Sequence, residues 1–400
     1  MTLLPVDEAR ARMLAEVPAP VTERVPVAES VGRVLAEDVA AVRDQPPFDA
    51  SAMDGYAVRS ADAPGTLKVV GESAAGHGYA GEVRPGEAVR IFTGAAIPQG
   101  CDAVVIQEDV QRDGDTATVP AVEAGRHVRP AGGDFRAGQA LLARGTTIDP
   151  WRLSLAAAAG RAELTVARRP RVALFSTGEE IVEAPATPGP FQIYDSGSPA
   201  LAALIRGWGG EVRRARPVRD DLEATIEALR AAEGDLVVTL GGASVGDHDL
   251  VRKAGEALGL ELKVASVAVR PGKPTFFGVL GDGRRMLGLP GNPASAFVCA
   301  EMFLRPLLMA WQGAPAEPRA ISARLEEALP ANGPREHWMR ARLAFEGGGV
   351  TVRPYRDQDS SLVSVFALAD ALLRRPAQAP AAEAGSVVDV LPLSRLPSGA

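Results

Sequence analysis

The sequence predicts a multidomain α/β protein. A central three-layer α/β domain on a mostly parallel sheet is joined by an inserted β module, a mixed N-terminal domain and a C-terminal β-barrel-like domain. Three observations carry this expectation. Arg171-Val-Ala-Leu-Phe175, Asp235-Leu-Val-Val-Thr-Leu240 and Met286-Leu-Gly-Leu289 are apolar runs that alternate with helical segments, the pattern of parallel strands covered on both faces. Between residues 48 and 134, and again beyond 320, the runs are short, broken by turns and marked by Val, Thr and Ile, which reads as β structure. The 400 residues also exceed the usual share of one domain.

In chain order, Val6, Ala9, Met13 and Val17 share one face of a helix, which Pro18 and Pro20 end. Residues 25–39 read as a strand or short helix. Arg43-Asp-Gln-Pro-Pro-Phe48 is a Pro-rich crossing into the β module. There the runs 67–70, 88–92, 103–107 and 117–120 are strands, and 150–160 then forms a helix. The expected domains are 1–42 with 135–170 (mixed), 43–134 (inserted β), 171–313 (central α/β) and 314–400 (β). Within the central domain a further strand is expected at 264–269 and an apolar helix at 294–308. Ala314-Pro-Ala-Glu-Pro318 links to the last domain.

Composition narrows the class. A formal net charge of −7 disfavours sequence-independent nucleic-acid binding. Cys101 and Cys299 are too few for a disulfide framework and do not form a zinc pattern. The first ten residues carry early acidic charge and lack a signal peptide's apolar core. The longest uncharged stretch, 286–300, is broken by Gly, Asn and prolines, unlike a membrane span. A cytoplasmic protein is expected. Lys68, Lys253, Lys263 and Lys273 are the only lysines among the basic residues, which are otherwise arginines.

Ligands of open parallel sheets bind beyond the carboxyl ends of the strands, and there the chain places its polar motifs. Ser176-Thr-Gly-Glu-Glu180 presents two acids, which suit a hard metal shared with substrate phosphates or a helix start. Asp220-Asp221, Asp247 and Asp249 follow other strands, so several strand ends converge on carboxylates. Asp54-Gly55, within Ser51-Ala-Met-Asp-Gly-Tyr-Ala57, is a hairpin pair or an exposed carboxylate. Thr93-Gly94 is turn chemistry or a hydroxyl and N–H facing an anion. Tyr194-Asp-Ser-Gly-Ser-Pro199 opens a helix with capping residues, whose amides also suit a phosphate.

Gly241-Gly-Ala-Ser-Val-Gly-Asp-His-Asp249 contains Gly242-Ala-Ser-Val-Gly246, the G-x-S-x-G pattern of a hydrolase elbow. That reading makes Ser244 a nucleophile with His337 as base. Against it, Gly246-Asp-His-Asp249 intervenes before the helix, and a glycine-rich turn equally allows close approach to a phosphate. It is neither a P-loop nor a dinucleotide fingerprint. Arg270-Pro-Gly-Lys273 holds two cations between prolines, fit for an oxyanion or merely solvated. Gly288-Leu-Pro-Gly-Asn-Pro293 is a rigid loop that starts a helix or floors a cavity.

Taken together and in this order, the stretches 51–57, Thr93-Gly-Ala-Ala-Ile-Pro98, 241–249, 270–273 and Leu289-Pro-Gly-Asn-Pro293 resemble the molybdopterin molybdenumtransferase family, the MoeA type related to the gephyrin E domain. The resemblance spans nearly the whole chain. It implies a homodimer of four-domain subunits that inserts molybdate into adenylylated molybdopterin with release of AMP, using a divalent metal, usually Mg2+. It also implies an active site shared between subunits, and it leaves open partnership with other molybdenum cofactor enzymes. No nucleic acid or membrane partner is expected. Position by position, it implies Asp54, Thr93, Glu180, Asp220 and Asp249 as catalytic, with Glu180, Asp220 and Asp249 as metal ligands. Gly242, Ser244, Asp247, Arg270, Lys273, Pro290, Pro293, Arg335 and Ser360 would bind substrate.

Two departures stand out. Arg270 replaces a lysine frequent in the family, and guanidinium and ammonium hold oxyanions with different geometry. Gln358-Asp-Ser-Ser361 replaces Gln-Gly-Ser, so the acting serine is open. Rival readings are a molybdopterin adenylyltransferase, a serine hydrolase built on Ser244, and a dimeric scaffold.

Overall fold

Central to the architecture is a six-stranded sheet in the order Glu211–Arg214, Arg171–Ser176, Leu236–Leu240, Arg285–Leu289, Phe276–Val279, Glu261–Val264. The first four strands are mutually parallel, and the last two add on antiparallel. The structure is a computed structural model that describes residues 3–242, 250–346 and 349–393. It divides into two units. One comprises the chain to Glu23, Gly32–Ala36 and everything from Val166; the other comprises Arg24–Val31 and Glu37–Thr165.

The central sheet is the middle layer of three. Because successive strand residues alternate faces, Val172, Leu174, Val238 and Leu287 point to one side. There they meet Leu201 and Ile205 of helix Gly197–Gly207 and Phe297 of a long helix. Phe175, Val237 and Met286 point to the other side, against Ile226 and Leu229 of helix Leu222–Ala231 and Val251 and Ala254 of helix Leu250–Ala257. Each such buried side chain contributes about 1.5–3 kcal/mol of transfer free energy. The long helix runs from Pro293 to Trp311, apolar and 83% buried within the protein, as expected of a core helix that is hydrophobic all round. Its middle, Ala300–Leu304, widens to π geometry. Pro306 follows two residues later; it lacks an N–H and its ring crowds the preceding turn, so a locally wider helix accommodates it.

One sequence expectation needs correction. Residues 264–269 do not form a single strand. The sheet strand ends at Val264, and Val269–Arg270 pairs instead with Glu336 and His337. Between them the backbone finds other partners: Leu4 N–H donates to the Ser266 carbonyl and Ala268 N–H to the Leu4 carbonyl. Backbone groups must be satisfied somewhere, and here the N-terminal segment satisfies them.

The C-terminal region closes a five-stranded barrel. Glu336–Glu346 pairs with Gly349–Pro354, then come Ile321–Leu325, Val387–Pro392 and Ala371–Arg375, which returns to the first strand. Ala341, Val352, Leu373 and Val390 fill it.

In the other unit, a six-stranded sheet runs in the order Ala103–Ile106, Gly55–Val58, Glu87–Ile91, Gly65–Ser73, Thr116–Val119, Gln111–Asp113. Strand Gly55–Val58 is buried on both faces. Tyr56 and Val58 lie in one apolar cluster, while Ala57 joins Ile91 and Val104 in another. Helix Pro150–Ala158 is capped by Asp149, whose carboxylate accepts the Arg152 N–H, with proline at its favoured first position.

Candidate active site

The carboxyl ends of the parallel strands open into a cavity of about 800 Å³. Ser176 and Thr177, then Leu240-Gly241-Gly242, then Pro290 line it as each strand ends. Gly242 has φ +64°, and a Cβ there would lie 2.3 Å from Val251 Cγ2. Only glycine turns the chain so tightly against the neighbouring helix, and the backbone stays bare at the cavity wall. Pro290 and Pro293 line it as well.

Glu180 and Asp220 both line this cavity, and both are exposed. The alternative that the Glu179-Glu180 pair starts a helix does not hold, since these residues form a turn that leads to the two-residue strand Ile181–Val182. Asp220 and Asp221 separate by role. Asp221 caps helix Leu222–Ala231 by accepting the Ala224 N–H at 2.8 Å, whereas Asp220 faces the cavity. Neither Glu180 nor Asp220 has an ion-pair partner among the described residues. Ser244, Asp247 and Asp249 lie outside the described residues. Among those that are described, no group of three or more potential metal-ligating side chains occurs.

The helix opened by Tyr194-Asp-Ser-Gly-Ser-Pro199 carries a correction. Its first amides are not free for a phosphate, because Asp195 Oδ1 accepts the N–H of Gly197 at 3.1 Å and of Ser198 at 2.9 Å. Arg214 joins Asp195 to Glu183 across the same edge. Thr177, by contrast, has a buried hydroxyl at the cavity wall with no hydrogen-bond partner among the described residues.

Next to it lies a second cavity of about 740 Å³, sharing Pro274 and Ser295 with the first. Arg270 and Lys273, and Arg335, which the resemblance implies as substrate-binding, line it, and so do Arg356 and Arg375, which no sequence motif flags. None of these five cations has an ion-pair partner among the described residues. Asp357 and Asp359 also face the space. The two consecutive serines divide between the cavities: Ser360 lines the second, Ser361 the first. Ser360 Oγ accepts a hydrogen bond from Asn292 Nδ2 at 2.8 Å.

The loop that carries the serines is clamped. Gln358 Oε1 accepts the Arg340 N–H at 2.9 Å, and its Nε2 donates to the carbonyls of Arg340 and Tyr355. Arg340, fully buried, donates to the Asp359 carbonyl. His337 also lines this cavity. Burial, reinforced by Arg270, Arg340, Arg335 and Arg375, holds its pKa down at about 4, a poor match for the general base of a hydrolase at neutral pH.

Asp54 and Thr93 belong to the other unit, where they meet directly. Asp54 Oδ1 accepts both the Thr93 N–H at 2.7 Å and its hydroxyl at 2.8 Å. These bonds hold the carboxyl below its usual pKa. Arg90 braces the turn, donating to the Gly55 carbonyl and Gln107 and lying over the rings of Tyr56 and Phe92.

A three-layer domain with a glycine-lined cavity at its strand ends, coupled to a closed barrel, defines a class that the comparisons name region by region. Residues 4–160 match the MoeA N-terminal region (domain I and II), 173–310 the probable molybdopterin binding domain, and 322–393 the MoeA C-terminal region (domain IV). A molybdopterin molybdenumtransferase of Staphylococcus aureus is 33% identical, covering 97% of this chain and 95% of that protein. One of Staphylococcus epidermidis is 32% identical, covering 98% and 96%. The solved structure of a molybdopterin biosynthesis MoeA protein from Pyrococcus horikoshii superposes with a TM-score of 0.82 at 32% identity, covering 99% of this chain and 100% of that one. The chain belongs to the molybdopterin molybdenumtransferase family and is a transferase of molybdenum cofactor biosynthesis.

Proposed function

We propose that this enzyme inserts molybdate into adenylylated molybdopterin and releases AMP, in a Mg2+-dependent reaction in the cytoplasm. The observation that carries the reading is the pair of adjoining cavities with opposite chemistry. One has a bare glycine turn beside Glu180 and Asp220; the other has five cations, none of them ion-paired among the described residues, with Asp357 and Asp359 on its serine loop. In this reading the Gly241-Gly242 backbone lets the pyrophosphate approach closely, and the Thr177 hydroxyl, otherwise unpaired, donates to it. Arg270, Lys273 and Arg335 concentrate the molybdate dianion beside the pterin's sulfurs, with Ser360 as a neutral hydrogen-bond partner.

Glu180 and Asp220 fit a Mg2+ ion, which takes oxygen ligands and is held by one or two carboxylates together with substrate phosphates; Asp249 would complete the set. The ion supplies charge neutralisation at the phosphate oxygens. The test is purified protein with adenylylated molybdopterin, molybdate and Mg2+, following AMP. Release that depends on both molybdate and Mg2+ is expected; nucleotide release indifferent to molybdate would overturn the proposal.

The homodimer with a shared site belongs to the same proposal. Mixing Asp54→Ala with Glu180→Ala subunits restores activity if the two residues act from different chains. No recovery in confirmed mixed dimers places both in one chain.

A further inference from the structure

The cationic cavity contains one side chain that cations alone do not explain. His337 sits on strand Glu336–Glu346, with Arg270 as its register partner on one side and Arg375 on the other. Register partners on adjacent strands project to the same face, with Cβ atoms about 4.5–5.5 Å apart. The three side chains therefore form a row, Arg270–His337–Arg375, across three strands, and all three line the cavity. His337 is only 8% exposed, and among the described residues its buried Nε2 has no hydrogen-bond partner. Buried polar atoms without partners are rare and ask for an explanation.

The charges that act on the ring are those of Arg270, Arg340, Arg335 and Arg375. Arg335 precedes His337 in the chain, and the fully buried Arg340 follows it on the strand, with Nε and Nη1 also unpartnered among the described residues. Lys273 and Arg356 complete the cavity's cations. Its acids, Asp357 and Asp359, sit on the serine loop. Glu336, the nearest acid in sequence, is committed elsewhere, accepting from Trp338 Nε1 and from Arg374. An imidazolium in the empty cavity would add one more charge to a cluster already repelling itself, so the ring stays neutral.

We propose that His337 is the proton-coupled element of this cavity: capture of a tetrahedral dianion is accompanied by uptake of one proton onto its imidazole. The inference rests on the oxyanion reading of the cavity given above. A dianion among the arginines cancels the field that keeps the ring neutral, and an opposite charge nearby favours the charged form. The ring's pKa in the empty cavity is about 4, and the liganded value is higher. By linkage, the anion binds more tightly as pH falls between these two values, and the gain disappears above the higher one. His337 then becomes a donor to the anion, and the site's charge is matched to its ligand only when the ligand is present.

The experiment is calorimetric titration of the whole enzyme with molybdate in two buffers of different ionisation enthalpy, at about pH 6 and about pH 8. Proton uptake that grows toward the lower pH is expected, with affinity rising by up to about tenfold per pH unit. In His337→Gln, that uptake and that slope disappear while binding persists. Should the variant fold poorly, the wild type suffices. The chain has four histidines, so the C2–H resonance of His337 can be followed as molybdate is added, and it moves to the imidazolium position. Equal proton uptake in wild type and variant, or a His337 resonance that stays neutral at saturation, overturns the inference and leaves the proposed function standing. Absence of molybdate binding at either pH overturns both.

Discussion

The two cavities share a wall but are built by different means. The first gathers residues that each follow a strand of the central sheet: Thr177, Gly242 and Pro290 come one or two positions after their strands end. The second gathers Arg335, Arg356 and Arg375 from the turns and strands of a barrel that closes on itself, and Arg270 from the short strand paired against it. One site follows from where a parallel sheet stops; the other exists only once the barrel has closed. A lesion in the first should therefore remove chemistry, and one in the second should remove affinity for the anion.

That distinction can be broken experimentally, beginning with the largest effect. Glu180→Ala is expected to fold normally and to lower AMP release by roughly a hundredfold or more, since even outer-shell changes at metal sites cost about 10–100-fold; a kinetic assay beside circular dichroism decides. Arg335→Ala should raise the molybdate concentration needed for half-maximal rate by about 10–100-fold, the worth of one charge-assisted hydrogen bond of about 1.5–3 kcal/mol. The nucleotide's apparent affinity should stay put. If instead the nucleotide term moves and the molybdate term does not, the division of labour between the cavities is wrong. The smallest effect separates neighbours. Asp221→Ala should cost about 1 kcal/mol of stability through the lost helix cap, read as a lower denaturant midpoint, with activity intact. Asp220→Ala should do the reverse.

The same contrast explains what the sequence made legible. Apolar runs such as Arg171–Ser176 and Leu236–Leu240 announce buried strands, and the motifs at their ends could be placed before any coordinates. The strand expected at 264–269 failed because its backbone turns to Leu4, a partner more than 250 residues away that no local pattern reveals. Helix Gly197–Gly207 looked open to a phosphate, yet Asp195, two residues before it, occupies its amides. Arg356 stands in an ordinary polar stretch of the sequence and Arg375 at the end of a short apolar run. Only pairing of the barrel strands brings Arg375 beside His337. Arg270-Pro-Gly-Lys273 stands out because two cations are close in sequence, whereas Arg335 is reached only through the family resemblance and Arg356 and Arg375 by no motif at all.

Ser360 and Ser361 are adjacent along the backbone but serve different chambers, and Asn292 and Gln358 pin their loop from two directions. Any shift of this short stretch of backbone carries both hydroxyls with it. Occupancy of either chamber should therefore be felt in its neighbour, and equally in both directions, as thermodynamic reciprocity demands. Saturating molybdate should alter the nucleotide's dissociation constant by the same factor that saturating nucleotide alters molybdate's.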